Sequence, residues 1–168
     1  MHHGFRALLA AAILTVASTL CAEDGFLIRL GVKNGHIREV FIGCAQGATA
    51  GYDQGHDDLA PPRGIQTGYT VLMPPDKALP PLYKDVRAPG DGVTWNLLAE
   101  VYTGKPIRID WSMTELPNGY RFGIETTSGV IDMRAADHLE LTATETLKIT
   151  ATRQATEAAK GEKKEGQE

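Results

Sequence analysis

Cysteine is nearly absent from this chain: Cys21 and Cys44 are the whole supply in 168 residues. Cys21 belongs to a leader-like segment described below, and without it Cys44 has no partner, so no internal disulfide staples the remainder. Stability has to come from packing. Long apolar runs are missing too. The most apolar one, Ala7 to Leu20, falls short of the roughly 20 residues a helix needs to cross a bilayer. An excess of basic charge is also lacking. Lys and Arg number 17 against 21 Asp and Glu, a net charge of −4, which is a poor match to nucleic acid because phosphates reward clustered cations. There are no paired Cys and His residues at zinc spacing, no Gly-x-Ser-x-Gly elbow, and no Gly-rich phosphate loop between a strand and a helix.

What is present starts with the leader. Arg6, with His2 and His3, precedes the apolar run, and Leu20-Cys21-Ala22 makes a small-residue cleavage site before acidic Glu23-Asp24. This pattern predicts a secretory signal peptide over residues 1–22, and hence a secreted or periplasmic protein with no membrane span in its mature chain. Leu20 in front of Cys21 argues against lipoprotein processing. Removing residues 1–22 takes one basic residue, Arg6, and no acid, leaving 16 basic side chains against 21 acidic ones. Residues 23–153 are enough for one domain, which buries roughly 68% of its unfolded surface at this size. Residues 154–168 mix Glu, Lys, Ala and Gly without an apolar face, and predict a disordered charged tail.

Within the domain, apolar residues recur at every second position. Val93, Trp95, Leu97, Ala99 and Val101, then Ile107, Ile109, Trp111 and Met113, predict two half-buried β-strands, because only a period of two sends alternate side chains to opposite faces. The Gly104-Lys105-Pro106 link between them predicts an antiparallel hairpin with both indoles on the inner face. Phe26 to Val32 and Ile37 to Cys44 flank Asn34-Gly35, which predicts a second hairpin with a two-residue turn. Further strands are expected near 67–73, 82–87, 120–124, 130–133, 139–141 and 147–151. The fold class is therefore all-β, an antiparallel β-sandwich of about eight to ten strands, with a β-barrel as the alternative.

Residues 45–65 are rich in Gly and Pro and long for a connection, a kind of loop that usually serves a function. Within it, Ala48-Thr49-Ala50-Gly51-Tyr52-Asp53-Gln54-Gly55-His56-Asp57-Asp58 runs on to Pro61-Pro62. Together with Asp85 and Arg87, Trp95, Trp111, Leu116 to Tyr120, and Ile131 to Arg134, this segment resembles a recurrent class of uncharacterised bacterial extracellular β-sandwich modules. The likeness covers most of residues 40–150. It implies a secreted adhesion, scaffold or accessory module, and it supplies no catalytic residue.

Asp53, Asp57 and Asp58 lie close enough in sequence to offer oxygen ligands to calcium, although the spacing is not that of an EF-hand. The competing reading has these carboxylates accept backbone N–H bonds in turns, or pair with Arg63, Arg87 or Arg134. Tyr52, Tyr83 and Tyr102 fall outside the apolar registers and are candidate ligand-binding rings, whereas Trp95 and Trp111 belong to the core. His36, His56 and His138 are scattered, and Ser112 and Ser128 lack a setting that would aim a histidine at either hydroxyl. Asp110 and Glu125 are expected on outward faces. Asp85 with Arg87, and Asp132 with Arg134, are expected to pair. The sequence thus predicts a non-catalytic binding or scaffold module with a protein or carbohydrate partner. A calcium-assisted carbohydrate-binding module is the first alternative and a hydrolase the second.

Overall fold

A computed structural model describes residues 25–65, 68–102 and 104–154; the leader 1–22 and the tail from 155 onward lie outside the described residues. The described chain is built of β1 (Phe26–Lys33), β2 (Glu39–Cys44), β3 (Asp58–Leu59), β4 (Tyr69–Met73), β5 (Leu82–Arg87), β6 (Gly92–Glu100), β7 (Ile107–Trp111), a one-turn 3₁₀ segment (Met113–Glu115), β8 (Tyr120–Thr126), β9 (Gly129–Asp132), β10 (His138–Leu141) and β11 (Glu145–Arg153). These form one 11-stranded sheet in the order β10-β7-β1-β2-β5-β4-β6-β11-β8-β9, with β3 added to β5. The sheet curls strongly into a half-barrel, so its inner face packs against itself. All-β is the class the alternation predicts, and the single curled sheet lies nearest the barrel alternative.

Alternation assigns the inner face. Ile28, Leu30 and Val32 of β1, Trp95, Leu97 and Ala99 of β6, Ile107, Ile109 and Trp111 of β7, and Leu147, Ile149 and Ala151 of β11 are all buried. Phe26 joins opposite parts of the curl. Its ring meets Trp95, Tyr120 and Phe122 edge-on at centroid distances of 6.4, 5.3 and 5.6 Å, the geometry aromatic quadrupoles favour.

Two expectations about connection are corrected. β6 and β7 are strands with both indoles buried, but they are not a hairpin. β6 pairs with β4 and β11, whereas β7 pairs with β1 and β10. The Gly–Pro link carries the chain between distant parts of the sheet, because a turn signal says that a strand ends and not which strand it next meets. Trp111 also ends its strand, and Met113 is 46% exposed in the 3₁₀ turn. The β1–β2 hairpin exists, but its connection is longer than two residues. Only Asn34 takes positive φ, at 65°, and Gly35 instead forms an isolated bridge with Gly68. A Cβ on Gly35 would stand 2.7 Å from Val32 Cγ1 and 3.0 Å from the Ile37 carbonyl oxygen, and one on Gly68 would stand 2.6 Å from Ile107 Cδ1 and 2.9 Å from the Glu100 carbonyl oxygen, so crowding by side chain and backbone together favours glycine there.

β5 is the least regular junction. It runs parallel to β2 and meets β4 only at Leu72–Leu82. Where β4 ends, side chains bridge β5 and β6. The Arg87 guanidinium donates to Asp85 Oδ2 at 2.7 Å and to the Thr94 carbonyl, and Trp95 Nε1 donates to the Asp85 carbonyl at 3.1 Å. Side chains of Arg87 and Asp85 are 11% and 3% exposed, so each needs the other. The expected Asp85–Arg87 pair therefore forms. Asp132 and Arg134 do not pair through their side chains; Asp132 Oδ1 accepts the Arg134 backbone N–H at 2.9 Å, and the guanidinium donates to the Pro117 carbonyl at 2.7 Å.

Removing one member of a buried ion pair strands the other charge, which costs about 3–5 kcal/mol. Arg87→Ala should lower the denaturant midpoint accordingly, and the double substitution Asp85→Leu with Arg87→Met should recover much of the loss. Cys44 lies beside this pair, and burial, partly offset by Arg87, pushes its thiol up to about 11. In the native protein it should resist a thiolate-directed reagent at neutral pH, and react at the rate of a free cysteine once the chain is unfolded.

Candidate functional site

The 45–65 loop is organised by its aspartates. Asp53 Oδ2 accepts the Thr49 N–H at 2.5 Å, so its side chain ties back the preceding turn, while its main-chain carbonyl accepts from the N–H groups of His56 and Asp57 in a backbone turn. Asp57 is buried, at 3% exposure. Its Oδ1 accepts the Val86 N–H and its Oδ2 the Asp53 N–H, both at 2.8 Å. Val86 lies two residues beyond Lys84, the partner of Asp58, so the first bond lets the Asp57 carboxylate continue the pairing of β3 with β5. Burial pushes the Asp57 pKa up, and the two N–H bonds only partly counter it. Asp58 points elsewhere, with Lys84 Nζ at 3.6 Å from its Oδ2.

The three aspartates that the sequence offers to calcium are thus joined in part. Asp53 and Asp57 are linked through a backbone amide, while Asp58 is directed to a lysine. Among the described residues no three or more His, Cys, Asp or Glu side chains gather in a way that would hold a metal ion. Tyr52 is 40% exposed in the same loop, and Tyr102 is 49% exposed where β6 ends.

Tyr83 has a more specific setting. Adjacent residues Asp58 and Leu59 of β3 pair with Lys84 and Leu82 of β5, so Tyr83 is the extra residue of a β-bulge. Bulges re-aim the side chains they carry. Tyr83 lines a groove of about 300 Å³ with Ile37, Arg38, Glu39, Phe41 and Pro61, at the lower end of ligand-pocket volumes. Pro61 is fixed there because its carbonyl accepts from Tyr69 Oη at 2.9 Å, and Arg63 lies 5.4 Å over the Tyr69 ring while reaching Glu100 at 2.6 Å. Glu39 accepts from Arg29 Nη1 at 2.9 Å. Tyr52 and Tyr102 are not among the residues lining this groove. Sequence reasoning missed Phe41 and Arg38. The available signal for Phe41 was parity, since it stands between the inward Val40 and Ile42.

The residues a hydrolase would use are dispersed. His36 sits in the β1–β2 connection, His56 in the long loop, and His138 Nδ1 lies 2.6 Å from Asp137 Oδ1 at the start of β10. Ser112 Oγ bonds Thr114 Oγ1 at 2.8 Å, and the Ser128 N–H donates to Thr126 Oγ1. Burial raises the Asp110 pKa, but bonds from Arg108 and Lys33 outweigh it and hold this carboxyl below the ordinary range. Glu125 pairs with Lys148 at 3.4 Å.

Asp57 provides a test. Asp57→Ala leaves the Val86 and Asp53 N–H groups without acceptors, and should cost about 1–3 kcal/mol in chemical denaturation. A raised folded-state pKa means the native protein holds the proton more tightly than the unfolded chain. Its stabilising contribution is complete below the ordinary value of 3.8 and declines as pH rises through the folded value. A carboxyl ¹³C titration should place the Asp57 midpoint above 3.8. Because its oxygens already accept backbone bonds, the melting temperature should be the same in calcium and in chelator; a calcium-dependent rise would assign the loop to a cation. Compared with protein-family models, with curated proteins and with solved structures, the chain matches none, and the functional reading rests on its own residues.

Proposed function

We propose that this is an exported, non-catalytic binding module that takes a carbohydrate on the outer face of β2 and β5. One observation carries the reading: the bulge at Tyr83 sets its ring in a groove with Phe41 and Pro61, and Arg38 and Glu39 complete the lining. A sugar ring presents an apolar face and a girdle of hydroxyls. Aromatic side chains suit the first, and a guanidinium with several N–H donors suits the second. Among the described residues the Arg38 side chain makes no ion pair, so its donors are free for such hydroxyls, whereas Glu39 is already held by Arg29.

A calcium-assisted form of this function is the alternative; both Asp57 oxygens and Asp53 Oδ2 accept backbone N–H bonds in the loop, which favours the calcium-independent form. The likeness to extracellular modules and the signal-like leader support export. The acidic surface suits a soluble exported domain.

A glycan array followed by chemical-shift mapping tests the site. Binding should perturb Phe41 and Tyr83, fall by about tenfold in Tyr83→Ala or Phe41→Ala, and persist in Tyr52→Ala and Tyr102→Ala. Retention of glycan in both groove variants, or loss in Tyr102→Ala alone, would move the site off this face. An array with no bound glycan would overturn the carbohydrate reading.

A further inference from the structure

The two ends of the sheet, β9 and β10, are consecutive in the chain and antiparallel in direction, yet they do not pair. β9 bonds only to β8, and β10 only to β7. At the corner between them the chain is pinned. The Trp111 N–H donates to the Asp137 carbonyl and Trp111 Nε1 to the Met133 carbonyl, both at 2.9 Å, and the Met133 N–H donates to the Phe122 carbonyl at 3.1 Å. From that corner the strands diverge like a hairpin held open, leaving a cleft of about 350 Å³ between residues that include Thr127, Val130, Ile131, Leu139, Glu140 and Glu145.

Ladder alternation says which backbone groups face the cleft. The bond from Met133 to Phe122 makes that facing pair a hydrogen-bonded one, and Ile131 opposite Ile124 is the next; the N–H and C=O of Val130 therefore point away from β8. The bond from Trp111 to Asp137 likewise directs the backbone groups of His138 and Glu140 away from β7. Two sheet edges with unsatisfied donors and acceptors face one another. Both edges are short, at four residues each; β9 reads Gly-Val-Ile-Asp, with no Lys or Pro, and its Val130 is 74% exposed.

We infer that this cleft accepts an extended peptide segment of a partner protein, added as a strand between β9 and β10 and carrying apolar and basic residues in alternation. The pattern follows from the walls. Ile131 pairs with inward Ile124, and Leu139 with inward Ile109, so a strand in the same pleat turns every second side chain into the core between them. The intervening side chains emerge on the outer face beside Val130 and Glu140; Glu140 stands opposite Arg108, whose guanidinium is bonded to Asp110, so its carboxylate, in no ion pair within 4 Å among the described residues, leaves room for Lys or Arg on the incoming strand. Main-chain bonds give such a strand its affinity and the alternate side chains give its specificity. This surface lies at the two ends of the sheet and shares no lining residue with the Tyr83 groove.

The probe is a synthetic peptide of about six residues alternating Val and Lys, with a peptide of the same composition in blocked order as control. Full-length protein is followed by NMR and amide hydrogen exchange. The alternating peptide should protect the amides of Val130 and Glu140, and the blocked one should not. Val130→Pro removes a donor that faces the cleft and spares the β8 ladder; it should weaken binding about tenfold with an unchanged circular dichroism spectrum. Glu140→Lys should reverse the preference toward a Val–Glu peptide. Unprotected Val130 and Glu140 amides at saturating peptide would overturn the inference, as would binding indifferent to both substitutions. Protection of Val130 that grows with protein concentration in the absence of peptide would also overturn it, assigning the edge to a second copy of this chain.

Discussion

The curl of this sheet depends on the fork between β5 and β6, where β4 pairs along β6 but touches β5 at one position only. A fork inside a core exposes backbone polar groups that neither water nor a ladder can satisfy, and each costs free energy if left alone. Arg87 fills this one. Its guanidinium reaches the Thr94 carbonyl on β6 while Asp85 neutralises it, and the Trp95 indole donates to the Asp85 carbonyl from the other side. Asp57 takes the Val86 N–H on the same strand. The buried polar groups are therefore not a site left over from function; they permit β5 to leave the sheet's regular pairing. Thr70 Oγ1, on neighbouring β4, is the buried side-chain atom without a hydrogen bond among the described residues.

That departure is also what makes the outer face useful. A strand paired regularly on both sides keeps strict alternation, and Tyr83 would follow the parity of its neighbours. The short β3, drawn against β5 by the aspartate-organised loop, introduces the bulge that releases Tyr83 from that parity. The same loop delivers Pro61 to the groove and is anchored there by Tyr69 and Arg63. Loop, bulge and groove are then consequences of one local arrangement: carboxylates that hold backbone, and so free a neighbouring aromatic to face outward.

How much of this was legible in the sequence follows from which forces are local. Alternation depends only on adjacent residues, and it marked β1, β6, β7 and β8 and put Trp95 and Trp111 in the core, where they are. Strand partners depend on contacts far apart in sequence. The link at 104–106 fits a hairpin and a crossover equally well, and the chain takes the crossover because β7 finds β1. That Asp53 would accept a backbone N–H in a turn, as it does from Thr49, was open to sequence reasoning as one of two readings of these carboxylates. The partner of Asp57 was not, since Val86 lies on another strand. Tyr83 stood out as an aromatic outside the apolar register, but Phe41 was hidden within an apolar run, and nothing in either segment announces a bulge.

The half-barrel stops short of closure for a reason that can be read at its corner. Continuous closure would require β9 and β10 to lie side by side, and the five residues joining them would have to form a tight turn. Instead Asp132 closes a turn on Ala135 and Arg134, the Arg134 guanidinium is drawn to the carbonyl of Pro117, and Trp111 holds both ends of the segment, Met133 through its indole and Asp137 through its backbone. These bonds fix the corner across the barrel end, so its width is set by the distance between β7 and β8 and not by the turn. At the opposite end, Glu145 Oε1 accepts the Thr127 N–H and ties the β8–β9 turn to β11, away from β10. Both ends of the gap are thus held by bonds to residues outside β9 and β10, Trp111 at the corner and Glu145 at the opposite end.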